Sequence, residues 1–330
     1  MSGRRGTSSA HPPLKPLSIV ATLYRSAPFL REFHERICRE AAQHAEDFEI
    51  VLVNDGSPDE SLETALALQR EDPRVTIIDL SRNFGHHKAM MTGLARARGR
   101  LVFLIDSDLE EAPELLGEFW QELTRTGADV VYGVQMRRKG GLFERLSGRL
   151  FFTAFNLLST HPLPPNVCTV RLMTRRFVRN LVAHRERETV IAGLWSITGF
   201  RQVAVPIRKE WRRESSYSLA SRLVLLVNSV TSFSNRPLIL VFYMGFAISL
   251  LAGTAALYLI VRRVFFGELL AGWASVIVSI WLLGGMTLFC LGLVGLYVSR
   301  VFIETKKRPY TVIRAVYAAG RATDAGGRRP

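Results

Sequence analysis

The sequence predicts an α/β domain on a mainly parallel sheet, followed by a hairpin of two apolar helices. Three observations predict it. Between Leu17 and Tyr132, short β-rich apolar runs alternate with stretches of helical periodicity. Acidic or glycine-bearing turns follow those runs, where ligands of such sheets gather. After residue 237 come two charge-free runs, Leu238–Val261 and Trp273–Ser299.

Taken in order, strands are expected at Leu17–Leu23, Glu49–Val53, Val75–Leu80, Leu101–Ile105 and Ala128–Tyr132. Helices are expected at Ala27–Ala45, Asp59–Arg70, Lys88–Arg98 and Pro113–Arg125. Residues 1–16, with Ser, Gly, Pro and His but no apolar stretch of a signal peptide, read as a disordered lead. Residues 17–235 read as the main domain. Within it Gly141–Ser159 and Tyr217–Phe233 are amphipathic, with Arg145, Arg149 and Arg222 marking polar faces. Helices of that type lie in a membrane interface. Residues 236–300 form the two-helix anchor, and 301–330 a basic tail, disordered from Ala318.

A bilayer core about 30 Å thick needs about 20 apolar helical residues, so both charge-free runs suffice. Gly284, Gly285, Gly292 and Gly295 let such helices approach closely, which permits a homo-oligomer. Arg300, Lys306, Lys307 and Arg308 follow the second run, while the intervening loop holds Arg262, Arg263 and Glu268. The positive-inside bias therefore places the main domain and both termini in the cytoplasm, most simply at a bacterial inner membrane. The net charge of +14 calls for an anionic partner. The basic clusters carry no RNA-binding signature or zinc spacing, which turns the reading from nucleic acid to nucleotide and anionic membrane lipids. Cys38, Cys168 and Cys290 have no paired or metal-like spacing and fit a reducing compartment.

Three turns carry chemistry. Asn54-Asp55-Gly56-Ser57 follows an apolar strand: a carboxylate there can accept the N–H of a base, or Asp55 and Ser57 can simply cap the next helix. Asp106-Ser107-Asp108 ends another strand, and two carboxylates one residue apart can hold Mg²⁺ or Mn²⁺ together with substrate phosphates. Glu110 and Glu111 add carboxylates, either around the cation or in the acidic first turn of a helix. In Ser81–Lys88, Arg82 and Lys88 can hold phosphate oxygens and Gly85 allows close backbone approach; His86 and His87 are given no metal role.

In this order, N-D-G-S, L-S-R-N-F-G, D-S-D-L, R-L-M-T-R-R and two C-terminal spans resemble family 2 glycosyltransferases of the polyprenyl-phosphate type. The resemblance, to dolichol-phosphate mannose synthases and bactoprenol glucosyltransferases, covers about residues 17–310. It implies a GT-A fold and inverting, cation-dependent transfer from a nucleotide-sugar to undecaprenyl or dolichyl phosphate, within cell-wall or glycolipid biosynthesis. By position, Asp55 contacts the donor base; Asp106 and Asp108 serve ribose, diphosphate and metal, with Asp108 the principal ligand. Asn54, Arg82, Lys88 and Glu110 join the donor side. Departures fall at Glu110, in place of a glutamine, at Thr169, in place of an acidic residue, and at Arg213–Ser216, which lacks a Gly and a Lys.

A phosphate monoester is already ionised at neutral pH, so it needs no strong base. Arg171, Arg208, Lys209, Arg212 and Arg213 are the candidates to dock it, since guanidinium groups bind phosphate bidentately. Transfer to a sugar hydroxyl would instead need a carboxylate base, for which Glu186 and Glu188 are the candidates. A nucleotide-binding membrane scaffold without catalysis is the alternative from another class.

Overall fold

The structure is a computed structural model that describes residues 15–136, 166–184, 186, 191–209, 236–266, 272–319 and 321–324. The amphipathic stretches 141–159 and 217–233, with Glu188, Arg212 and Arg213, lie outside the described residues.

The chain runs β1 (Leu17–Leu23), α1 (Ala27–His44), β2 (Phe48–Asn54), α2 (Ser61–Glu71), β3 (Val75–Leu80), α3 (His86–Arg96), β4 (Leu101–Leu104), α4 (Leu115–Thr126) and β5 (Val130–Gln135). It continues with β6 (Val167–Thr174), α5 (Arg175–Ala183), α6 (Ile191–Ile197), β7 (Gln202–Ile207), α7 (Arg236–Phe266), α8 (Trp273–Thr305), β8 (Ile313–Ala318) and β9 (Arg321–Asp324). The described strands form one nine-stranded sheet in the order β7-β5-β6-β4-β1-β2-β3-β8-β9. At its centre β4, β1, β2 and β3 are parallel. Every residue of β1 and β2 is buried, as strands covered on both faces require.

Helices cover the two faces. Leu30, Phe33 and Ile37 of α1 pack with Leu116 and Phe119 of α4 in one core cluster. Met90, Met91 and Leu94 of α3 pack with Phe177 and Leu181 of α5 in the other. The polar residues low in β1 and β2 are paired: Ser18 Oγ donates to Glu49 Oε1 at 2.5 Å, and the Arg98 N–H to the same oxygen at 2.6 Å. On one flank β6 inserts antiparallel between β4 and β5, and β7 then pairs parallel with β5.

The tail expected over 301–330 is corrected. Residues 313–324 return to the sheet, β8 pairing antiparallel with β3 and β9 with β8. The segment Ile313-Arg314-Ala315-Val316-Tyr317-Ala318 has strand-forming residues, and Ile313 and Tyr317 pack onto the two core clusters. Its shortness and the basic sequence around it hide this in composition.

The two apolar runs form α7 and α8, each well beyond the length of a bilayer core at about 1.5 Å per residue. Windows at Arg236–Ala255 and Ser279–Thr305 have mean hydropathies of 2.1 and 1.9, with none of either window buried. Phe242, Trp281 and Leu288 stand 67%, 78% and 73% exposed. Both helices are long and apolar enough to cross a membrane, and among the described residues nothing buries either window.

Candidate active site

The carboxyl ends of β1, β2 and β4 and the start of α3 surround a cleft of about 460 Å³. Its lining includes Thr22, Asp55, Asn83, His86, Asp106 and Asp108. Parallel strands place these residues together: Leu23 at the end of β1 pairs with Asn54 at the end of β2, and Val20 pairs with Leu104, so the residues just beyond β4 run alongside the last residues of β1.

The aspartate pair is shaped by what separates and follows it. Ser107 is buried and donates to Thr22 O at 2.7 Å, with Ser26 Oγ 2.9 Å away, so the middle residue is anchored inward beneath the two carboxylates. Asp108 Oδ1 accepts the Glu110 N–H at 3.0 Å. Between them Leu109 has φ of 60°, a left-handed backbone on a buried leucine. That conformation costs on the order of 1–2 kcal/mol and is held by burial of the side chain.

Among the described residues Asp106 Oδ1 is buried without a hydrogen bond, its nearest charged partner being His86 Nε2 at 3.3 Å. Burial pushes the Asp106 pKa up, the charge of Asp108 adds to this, and His86 and Lys209 oppose it. His86 Nδ1 lies 3.0 Å from Thr22 Oγ1. The buried Asp106 oxygen, the second aspartate and an imidazole edge form a ligand set that fits Mg²⁺ or Mn²⁺.

A second layer of charge sits behind. Lys209 Nζ lies 2.9 Å from Glu110 Oε2 and 3.9 Å from Glu111 Oε1. Burial works against the lysine's charge, and Glu111, Glu110 and Asp106 outweigh it, holding its pKa above the usual range. Glu111 is fully buried; Oε1 accepts the Thr169 N–H at 3.2 Å, and Oε2 has no hydrogen-bond partner among the described residues. Burial and the charge of Asp106 push its carboxyl up to about 8 against the pull of Lys209. Thus Glu111 brings a carboxylate to the backbone of Thr169, where the family resemblance leads one to expect an acidic side chain.

The Asn54–Ser57 turn and the 81–85 loop are locked together. Asp55 Oδ1 accepts the Phe84 N–H at 2.7 Å and Oδ2 the Gly85 N–H at 3.0 Å. Burial raises the Asp55 pKa, and these two bonds oppose the rise. Gly56 has φ of 59°, and a Cβ there would stand 2.4 Å from Asn83 N, so only glycine allows the approach. Asn54 is buried, its Nδ2 donating to Asp79 Oδ1 at 2.8 Å, and supports the turn from behind the cleft.

Other expected residues divide. Arg82 is exposed, donates to Asn83 O at 2.9 Å and lies over the Phe84 ring. Lys88 sits half-buried in the first turn of α3, and Arg208 is exposed at the end of β7. Arg171 is corrected as an acceptor ligand: it is 1% exposed and lies over Trp195. Its Nε and Nη2 donate to Thr169 O and Cys168 O, both at 3.1 Å. Basic composition drew it into the acceptor set, but β6 turns it inward. Glu186 is raised by burial and by the charge of Glu304, at the far end of α8, rather than by any cleft carboxylate.

His86, Thr22, Tyr24 and Asn83 were missed as cleft residues. Their signal is position alone: Thr22 and Tyr24 flank the end of β1, and Asn83 and His86 lie in the loop after β3 and at the start of α3. Elsewhere His34, Cys38 and Asp72 converge, but the Arg74 guanidinium already bonds both Asp72 oxygens at 2.9 Å. Burial pushes the Cys38 thiol up to about 11, leaving it protonated. That cluster is a satisfied structural network.

An α/β sheet with a carboxylate-lined cleft at the carboxyl ends of its parallel strands is a ligand-binding architecture, of the kind that takes a nucleotide. The chain belongs to glycosyltransferase family 2, whose pattern, Glycosyl transferase family 2, matches residues 18–182. A Mycobacterium tuberculosis chain described among glycosyltransferases is 55% identical over 93% of this chain and 90% of its own length. The uncharacterized glycosyltransferase YkcC of Bacillus subtilis is 34% identical over 91% of this chain and 94% of its own. The bactoprenol glucosyl transferase of Shigella phage SfV is 31% identical over 90% and 98%. The protein is thus a glycosyltransferase with a mixed, mainly parallel, GT-A-like α/β sheet.

Proposed function

We propose that this enzyme transfers a sugar from a nucleotide-sugar to a polyprenyl phosphate at the cytoplasmic face of a membrane that α7 and α8 span. The observation that carries the reading is the aspartate pair opening into the cleft, with a buried Asp106 oxygen that makes no hydrogen bond among the described residues beyond the 3.3 Å approach of His86. Similarity to a chain named bactoprenol glucosyl transferase supports the lipid acceptor. The exposed apolar surfaces of α7 and α8 support the membrane.

In this reading Asp106 and Asp108 hold Mg²⁺ or Mn²⁺, with His86 beside them. When bound, the cation neutralises charge on the departing diphosphate. The joined loops at 54–57 and 81–85 receive the nucleotide, with Asp55 facing the base side and Arg82 and Lys88 offering charge to phosphates. An oxygen of the acceptor phosphate attacks the anomeric carbon opposite the leaving group. The new carbon–oxygen bond forms as the bond to the diphosphate breaks, and its electron pair departs with the nucleoside diphosphate. No proton need be removed from the nucleophile, so the cleft needs no strong base. Arg208 and Lys209, with Arg212 and Arg213, supply positive charge for the acceptor, and the membrane delivers its chain.

The test compares undecaprenyl phosphate with undecaprenol as acceptors for the purified full chain in lipid vesicles. Transfer to the phosphate alone is the expected result. Equal transfer to the alcohol would overturn the phosphate reading.

A further inference from the structure

We propose that Arg314, on the strand that follows the second apolar helix, is a positioning residue for the donor site, tying the anchor to both loops that receive the nucleotide. The inference rests on the donor reading above and adds to it a residue outside the cleft. Arg314 Nη1 stands 3.3 Å from Asp79 Oδ2, and Nη2 donates to Ser81 O at 2.8 Å. Asp79 is buried in β3, and its other oxygen accepts from Asn54 Nδ2 at 2.8 Å. Asn54 Oδ1 in turn accepts the Ser57 N–H at 3.2 Å, which closes the first loop. Ser81 opens the second loop, and its own N–H donates to Val312 O at 2.9 Å. One guanidinium therefore reaches the first loop through Asp79 and Asn54, and the second through Ser81.

The planar fork suits this task because it serves two acceptors in one fixed geometry. Arg314 is 58% exposed while Asp79 is 1% exposed, so solvent screens the arginine's side of the pair and can take its place in part when it is removed. What it fixes is relative position. The chain path gives that position a purpose. Helix α8 ends at Thr305 and β8 begins at Ile313, so the connection reaches on the order of 25 Å at most. Thr311, within that connection, meets Thr92 of α3 at 2.9 Å between hydroxyls. The end of the anchor is thus strapped to the strand and helix that frame the donor loops.

The experiment measures binding of UDP and of GDP, each with Mn²⁺, to the full chain in detergent, for the unaltered protein and for R314A, R314K, D79N and the R314A/D79N pair. R314A is expected to weaken nucleotide binding about tenfold, with the KM for undecaprenyl phosphate and the melting temperature nearly unchanged. R314K, which keeps the charge but not the fork, should fall between. The double variant should be no worse than the poorer single one, the mark of residues acting through one path. Unchanged nucleotide affinity in R314A would overturn the inference alone. So would equal losses toward donor and acceptor with a lowered melting temperature, since those report general destabilisation. If the unaltered chain binds neither nucleotide, the donor reading fails and takes the inference with it.

Discussion

Lys209 Nζ lies 2.9 Å from Glu110 Oε2, so the residue two beyond the end of β7 is bound to the loop that carries the aspartate pair. Sequence reasoning assigns the two to opposite substrates, the lysine to the acceptor and the glutamate to the donor. Their contact makes them one charge-balanced unit at the meeting of the two substrates. Removing the lysine alone leaves mostly buried carboxylates uncompensated. K209M should therefore lower kcat/KM by about tenfold or more. Adding E110Q should recover part of the loss, which steady-state kinetics of the two singles and the double will show.

The aspartates should bind the cation in the absence of any lipid. Titration of Mn²⁺ in the presence of nucleoside diphosphate is expected to saturate in the unaltered protein. In D108N it should weaken by about two orders of magnitude, since one hard anionic ligand is lost. Unaltered Mn²⁺ affinity in D108N would remove the metal assignment.

Glu111 gives the fold a pH dependence of defined sign. Its carboxyl titrates near the ordinary 4.5 when unfolded and at about 8 in the native state. Between those values the native protein keeps a proton that the unfolded chain has lost, so stability falls as pH rises through this window and then levels. E111Q carries no such proton and should flatten the slope. Melting temperatures in detergent with a chelator, from about pH 5 to about pH 8, will check it.

Most of the catalytic sheet is legible in the sequence because each strand from Leu17 to Leu80 is a compact apolar run closed by a turn. The aspartate pair is legible for the same reason: Leu101–Leu104 is short, apolar and followed at once by charge. What escapes are relations between distant segments. Arg171 reads like any surface arginine until β6 is seen to turn it onto Trp195. His86 is unremarkable in sequence, and only the start of α3 lying against Thr22 of β1 brings it to Asp106. The strand at 313–318 follows two long apolar helices, so no local pattern says that it rejoins β3.

That return changes what a soluble fragment should do. Deleting 236–330 removes β8 and β9 as well as both apolar helices, and it exposes the hydrogen-bonding edge of β3. Such a fragment is expected to aggregate and to bind nucleotide poorly. A chain in which a flexible linker replaces 210–308, keeping β8 and β9, should stay monomeric and bind better. Size-exclusion chromatography with nucleotide titration separates the two.

The central claim is transfer of sugar to a lipid phosphate by the Asp106–Asp108 cleft. Its most direct measurement incubates the purified full chain with radiolabelled nucleotide-sugars, a divalent cation and undecaprenyl phosphate, then extracts the lipid. Label should enter the organic phase for at least one donor, and D108N should abolish it. Label appearing only on a sugar-hydroxyl acceptor, or undiminished lipid labelling by D108N, would contradict the account.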